Sequence, residues 1–225
     1  MKLLEIWRYP VKSMAGERLA QTTVRKDGIP GDRRLVVVDG RGHLATSRSY
    51  PKLLGLHATT AADGQVLVDG EPWSNPGVAA KVEMAVGKGA LIVPAEEGIF
   101  DILPLLVVSD GAVDSLGLDR RRFRPNLYLG EVPGLTERGW EGKTLAIGAA
   151  RIELDSLRGR CVMTTFDPDT LVQDPTVLRR IVREMNGTLG LNSVARVEGA
   201  IAEGDLAEIL ESPHPRGVAG APLER

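Results

Sequence analysis

The amino-acid sequence predicts a mainly β fold of the α+β class, with barrel-like sheet closure and few helices. Three observations lead there. The apolar runs are short and rich in β-branched residues, Asp-Gly pairs recur between them, and 26 glycines and 14 prolines punctuate the 225-residue chain, the pattern of many brief strands joined by tight turns. Leu3 to Tyr9 is the first strand. Leu35-Val36-Val37-Val38 is a second, turning through Asp39-Gly40-Arg41-Gly42 into His43 to Thr46, with Asp-Gly supplying the positive φ that a tight hairpin needs. Val66-Leu67-Val68 followed by Asp69-Gly70 repeats that device. Leu91 to Val93 and Leu105 to Val108 read as buried strands. Leu127 to Leu129, Thr144 to Ile147, Arg151 to Leu154, Val162 to Phe166 and Val194 to Val197 follow with partial period-two alternation.

Two helices are expected. Ser109 is an N-cap for a short helix through Leu116 that Gly117 closes, and Asp174-Pro175 supplies an N-cap and a first-turn proline for a second helix. From Thr176 to Asn186 the apolar residues Leu178, Ile181, Val182 and Met185 recur at i, i+3, i+4 and i+7, with Arg179, Arg180, Arg183 and Glu184 on the other face and Gly187 at the end. A composition shift around Pro94 to Gly98 divides the chain into an expected N-terminal region, 1–94, and a second domain, 95–211. The stretch from Ser212 to Arg225, rich in Pro, Gly and charge, is expected to be a mobile tail.

Composition excludes several function classes. Hydrophobic residues at 43% and charged residues at 26% are those of a folded soluble protein. The formal net charge of -2 leaves no overall positive field for a nucleic-acid partner. Charge interrupts the N-terminal apolar residues before signal-peptide length, and no later run approaches the ~18 residues of a membrane span, so a cytoplasmic protein with no membrane partner is expected. The single cysteine, Cys161, rules out an intrachain disulfide framework, a cysteine-cluster zinc site and an intrinsic four-cysteine iron–sulfur centre. No flavin or NAD fingerprint is present: Gly40-Arg41-Gly42-His43-Leu44-Ala45 fits the loose dinucleotide pattern, but no helical run follows it. His43, His57 and His214 lack metal-ligand spacing, and Asp167-Pro168-Asp169 reads as an Asx turn rather than a carboxylate pair.

Cys161 is a candidate to carry chemistry. Arg158 and Arg160 beside it favour thiolate over thiol, Gly159 allows close approach of a ligand, and a soft thiolate suits a soft metal or sulfur chemistry. A lone cysteine is more often a small buried hydrophobe. Other basic positions, Lys12-Ser13, Asp32-Arg33-Arg34, Arg48 and Arg124-Pro125-Asn126, lie at the ends of predicted strands, where guanidinium forks and backbone amides could together hold a phosphorylated cofactor, although any one of these arginines reads equally as solvated surface.

Four segments, Tyr9-Pro10-Val11-Lys12-Ser13, Gly31-Asp32-Arg33, Arg122-Phe123-Arg124-Pro125-Asn126 and Arg160-Cys161-Val162-Met163-Thr164-Thr165-Phe166-Asp167-Pro168-Asp169-Thr170, resemble in this order the MOSC family (molybdenum cofactor sulfurase C-terminal domain). The similarity, from about Leu3 to Leu210, is to the branch with an N-terminal β-barrel region ahead of the MOSC domain. It implies a MOSC-type β-barrel core, with 1–94 as the N-terminal β-barrel-like region and 95–211 as the MOSC domain. It also implies that Cys161 ligates the molybdenum of a pyranopterin cofactor and is the catalytic cysteine. Lys12, Ser13, Arg33, Arg124, Asn126 and Arg160 would hold the pterin and its phosphate. The chain departs from the family pattern at Gly159, where relatives often carry serine, at Arg158, which replaces a second cysteine, and at Leu171, which replaces a glycine.

The activity so implied is reduction of a small N-hydroxylated substrate by oxygen-atom abstraction. With no cluster, flavin or NAD of its own, the chain would need a separate electron-transfer protein or reductase. The alternative is a sulfur carrier or cofactor-handling protein in which Cys161 holds a persulfide. A binding module without cofactor is a third possibility, which the three departures leave open.

Overall fold

A computed structural model describes residues 1–211; the expected mobile tail, with His214, lies outside the described residues. In chain order the strands and helices are β1 (Lys2–Arg8), β2 (Glu17–Leu19), β3 (Gln21–Val24), β4 (Leu35–Val38), β5 (Leu44–Ala45), β6 (Ala58–Thr60), β7 (Val66–Val68), β8 (Glu71–Pro72), α1 (Pro76–Val86), β9 (Leu91–Pro94), β10 (Leu105–Ser109), α2 (Asp110–Asp114), β11 (Leu127–Gly130), β12 (Thr144–Ile147), β13 (Ala150–Gly159), α3 (Pro175–Met185), β14 (Thr188–Val197), β15 (Gly199–Ala202) and β16 (Ala207–Leu210). Among the described residues no helix is long and apolar enough to cross a membrane.

The β-rich, helix-poor architecture expected from the short branched runs is the one observed. An eight-stranded sheet runs β16-β12-β13-β14-β10-β11-β1-β2, antiparallel except where β10 and β11 pair in parallel. Its two ends meet. Lys2 bridges Leu206, the Leu3 amide donates to the Asp205 carbonyl at 2.9 Å and the Ala207 amide to the Met1 carbonyl at 3.1 Å, while β3 pairs with β15. Closing a sheet on itself removes exposed edges and encloses a core, here of Leu3, Ile6, Leu105, Leu127, Leu145, Ile152 and Leu191 among others. Two three-stranded sheets, β5-β4-β9 and β6-β7-β8, surround a second core that takes Val11, Met14, Val37, Leu53, Val78 and Val82. A third cluster sits between the large sheet and α2 and α3, centred on Phe123, Val113 and Ile181.

The hairpins form where expected, by partly different means. Val38 pairs with Leu44, yet the positive φ is at Gly42 (82°) and not at Gly40. The Asp39 carboxylate accepts from the Arg41 and His43 amides, and Gly40 serves close approach, since a Cβ there would meet the Lys88 carbonyl oxygen at 2.6 Å. At the second hairpin both Asp69 (50°) and Gly70 (83°) have positive φ, as a type I′ turn demands.

Three sequence expectations are corrected. Val162 to Phe166 is not a strand: Val162–Thr165 is a 3₁₀ turn, because the Thr164 and Thr165 hydroxyls donate to the Cys161 and Val162 carbonyls at 2.9 and 2.6 Å and so stabilise a turn in place of a ladder. In α3 the buried face is Val177, Ile181 and Met185, rotated from the expected one, and Val182 is 56% exposed. Helix α1 was not foreseen, although Asn75-Pro76 caps it by the same device as Asp174-Pro175: the Asn75 side chain accepts from the Gly77 amide. By contrast α2 has its expected Ser109 cap, and Asp167 makes the expected turn, accepting from the Asp169 and Thr170 amides.

Candidate functional site

Loops and strand ends from both halves of the chain converge on one pocket. Lys12 and Ser13 follow β1, Arg33 precedes β4, Arg48 follows β5, Arg122 and Arg124 lie between α2 and β11, and Arg158, Arg160 and Cys161 stand at the end of β13. The pocket encloses about 80 Å³ and is completed by Thr46, Asp101, Leu106, Phe123, Gly159, Met163 and Thr164. Six of the seven predicted site residues, Lys12, Ser13, Arg33, Arg124, Arg160 and Cys161, therefore face one cavity although they span the chain. Cys161 is half-buried at its wall rather than in the apolar core.

The seventh, Asn126, is 1% exposed and stands behind the wall. Its Oδ1 accepts from the Leu106 amide at 3.1 Å and from Arg33 Nη1 at 3.4 Å, and its Nδ2 donates to Asp32 Oδ2 at 3.1 Å and to the Trp7 carbonyl at 3.2 Å. Asp32, wholly buried, also accepts from the Tyr9 amide at 2.6 Å and pairs with Arg33. Asp32 and Asn126 thus fix the Arg33 guanidinium from beneath. Against the Tyr9 ring lie Arg33, 4.9 Å from its centroid, and Arg124, at 4.2 Å, so one aromatic ring spaces two cations.

Backbone strain gathers at this place. Ser13, Arg33 and Arg124 have φ of 74°, 52° and 53°, in the left-handed region that costs a non-glycine residue about 1 kcal/mol or more. Each is held there by its surroundings: the Ser13 hydroxyl accepts from the Ser47 amide at 3.0 Å, the Arg33 amide donates to the Tyr9 carbonyl at 2.8 Å and the Arg124 amide to the Arg121 carbonyl at 3.2 Å.

Seven cationic side chains, Lys12, Arg33, Arg48, Arg122, Arg124, Arg158 and Arg160, line the cavity against one carboxylate, Asp101. Desolvation lowers Arg124 and Arg160 to about 10, and the charges of Arg33 and Arg158 respectively push the same way; both stay cationic at neutral pH. Lys12 is likewise lowered by desolvation, which outweighs its hydrogen bond to Asp101. Arg48 is raised, first by the Asp101 charge and also by its interaction with Cys161. Concentrated positive charge in a partly desolvated cavity attracts anions strongly.

Three buried side-chain atoms among the described residues lack a hydrogen-bond partner, and two of them, Arg122 Nε and Arg160 Nε, belong to this pocket. A buried donor left unpaired costs about 1–3 kcal/mol, so the two arginines are suited to acceptors supplied by a ligand. Among the described residues no group of three or more His, Cys, Asp or Glu could hold a metal ion. A metal at Cys161 would accordingly bring its other ligands with it.

Of the lining residues not assigned from sequence, Arg48 carried a signal as a basic residue at a strand end, Arg158 as a neighbour of Cys161, and Arg122 lies inside a quoted motif. Asp101 carried none, since a carboxylate in a loop between strands looks like solvated surface. A neighbouring apolar cavity of about 130 Å³ shares Arg122, Arg124 and Met163 and adds Trp7, Tyr9, Leu54, His57, Phe166 and Pro168.

Residues 1–93 match the family model of the MOSC N-terminal beta barrel domain and residues 108–208 that of the MOSC domain. The mitochondrial amidoxime reducing component 2 proteins of Macaca fascicularis and Homo sapiens are each 24% identical to this chain, across 76% of it and 68% of their own length. The crystal structure of the YUAD protein from Bacillus subtilis superimposes with a TM-score of 0.52 at 16% identity, covering 94% of this chain and 96% of that one, a likeness of fold. The order of the two matched domains is also the order in which the chain contributes to the pocket: this protein belongs to the MOSC family, in the branch with a β-barrel domain ahead of the MOSC domain.

Proposed function

We propose that this protein binds a molybdenum pyranopterin cofactor and reduces N-hydroxylated compounds by removing their oxygen, with electrons from a separate electron-transfer protein or reductase, in the cytoplasm. The observation that carries this reading is the convergence of one half-buried thiol with seven cations, two of which keep an unpartnered buried Nε, in a single cavity. When bound, the cofactor supplies two-electron chemistry at molybdenum. The chain's part is to hold it: Cys161 as the one protein ligand of the metal, Lys12, Ser13, Arg33, Arg124 and Arg160 around the pterin and its phosphate, and Asn126 as the residue that sets Arg33. Arg122 and Arg48 extend that cradle. The names of the curated relatives, and the MOSC family resemblance of the Cys161 motif, favour amidoxime-like substrates. We further propose that 1–94 and 95–211 are the two domains, so that Lys12, Ser13, Arg33 and Arg48 come from one and Arg122, Arg124, Arg158, Arg160 and Cys161 from the other.

Metal analysis of the full chain, made in cells that produce molybdenum cofactor, tests this. About one molybdenum per chain is expected, since the chain offers a single thiolate, which serves one metal. The Cys161 thiol should resist alkylation until the cofactor is removed. Cys161→Ser exchanges a soft ligand for a hard hydroxyl, so hydroxylamine reduction by an artificial donor should fall by at least 100-fold with the fold intact. A reactive thiol, no molybdenum and a persulfide on Cys161 would overturn the proposal in favour of the sulfur carrier.

A further inference from the structure

The single carboxylate of the pocket is placed as a ligand would be. Asp101 Oδ1 accepts from Lys12 Nζ at 2.6 Å, and its Oδ2 accepts from Arg48 Nη2 at 3.0 Å and Arg158 Nη2 at 2.8 Å. One negative charge thus meets three positive ones, from three separate segments of the chain. Lys12 and Arg158 side chains are 10% and 16% exposed, and Arg158 is also fixed from behind by Asn192 Oδ1 at 3.1 Å, so its guanidinium keeps its position whether or not Asp101 is present.

The segment that carries Asp101 is attached mainly by polar contacts. Residues between β9 and β10 have no regular structure, and Ile99 and Ile102 are 36% and 58% exposed. Its ties include the Ala95 amide to the Arg34 carbonyl at 2.9 Å and the Ile99 amide to the Arg33 carbonyl at 3.1 Å, Lys12 Nζ to the Ile99 carbonyl at 3.1 Å, the Phe100 ring 5.8 Å from the Arg33 guanidinium, and Asp101 itself. None of its side chains is fully buried, and a loop held mainly by polar contacts opens at low cost.

We infer that Lys12, Arg48 and Arg158 form an oxyanion subsite for a phosphate group, that Asp101 fills it as an internal stand-in, and that a phosphate-bearing ligand displaces Asp101 and releases its loop. A phosphate carries about −1.5 to −2 charge at pH 7 and three acceptor oxygens, against one charge and two oxygens for the carboxylate, so it matches three converging donors better. The inference rests on the proposed function only in taking the pocket as a ligand site; it requires neither molybdenum nor turnover.

Inorganic phosphate is the probe, titrated calorimetrically into the full chain at fixed ionic strength. Asp101→Asn removes the competing charge and should bind phosphate at least 10-fold more tightly than the unaltered chain. Arg158→Gln added to Asp101→Asn should abolish that gain. Should Asp101→Asn fail to fold, Asp101→Ser carries the same expectation. An arm without variants uses a glutamate-specific protease at Glu96 and Glu97, both exposed: saturating phosphate should speed cleavage several-fold by freeing the loop. Equal or weaker phosphate binding by the Asp101 variants, retention of the gain without Arg158, or cleavage indifferent to phosphate would each overturn the inference. Comparison of cofactor-free with molybdenum-loaded protein separates the sources. Phosphate binding lost on loading assigns the subsite to the cofactor's own phosphate, and binding retained assigns it to a phosphate on the substrate.

Discussion

Asp32→Asn is the perturbation that most directly tests how the pocket is held. The Asp32 side chain is fully buried, and its carboxylate accepts from the Tyr9 amide, from Asn126 Nδ2 and from the Arg33 guanidinium, whose side chain is itself 13% exposed. Asparagine of the same shape can still accept from Tyr9. Its own amide then confronts the donors of both Arg33 and Asn126, which share Oδ2, so two charge-assisted bonds are lost, each worth about 1.5–3 kcal/mol. The sum, about 3–6 kcal/mol, overlaps the cost of removing one partner of a buried pair, about 3–5 kcal/mol. In a protein of this size each kcal/mol moves the melting temperature by about 2–4 °C, so a drop of about 10 °C is expected in thermal unfolding at pH 7, followed by circular dichroism. Adding Arg33→Met, which removes the stranded cation, should recover part of that loss. A melting temperature within about 2 °C of the unaltered chain, or a double variant less stable than the single one, would refute the assignment of Asp32 as the anchor of Arg33.

Two further predictions concern the acid limb and α3. Desolvation pushes the Asp101 carboxyl up, but the Lys12 hydrogen bond and the charges of Lys12, Arg48 and Arg158 hold it well below its ordinary 3.8. A depressed carboxyl stabilises the fold above its unfolded pKa and loses that contribution as pH falls through the folded one, so melting temperatures taken from pH 5 downward should fall less steeply in Asp101→Asn than in the unaltered chain, the difference opening below pH 4. On α3, Val177→Ala should cost about 2 kcal/mol, from two buried methyl groups and the space they leave, whereas Val182→Ala should change stability by less than about 0.5 kcal/mol. Chemical denaturation that ranks the two the other way round would show the helix to be rotated from the face described.

Sequence carried the local rules of this fold. Branched runs separated by Asp-Gly and proline signals specify strand identity because period and turn chemistry are properties of a few consecutive residues. Accordingly β1, β4, β7, β9 to β12 and the capped helices α2 and α3 were legible, as was the Asp167 turn. Errors arose where a second local preference competed. The threonines after Cys161 satisfy their hydroxyls on the backbone three residues earlier and make a turn out of a branched run. In α3, Val182 and Val177 are equally apolar, and only packing against Phe123, Val113 and Leu116 selects Val177.

For the site, the sequence by itself determined the residue types and the family: one thiol flanked by arginines, and basic residues at the ends of strands in the order of the MOSC motifs. Tertiary structure decided what those residues face. Convergence of Lys12, Arg48, Arg124 and Arg160 depends on how the closed sheet and the two smaller sheets meet, a relation between segments more than a hundred residues apart that no window of sequence contains. The same holds for Asp101. A loop carboxylate is unremarkable in sequence, and becomes the counter-charge of three cations only because Lys12, Arg48 and Arg158 are brought around it by strands that the loop does not belong to. Charge acts through space, and position in space is fixed by the packing of the whole chain.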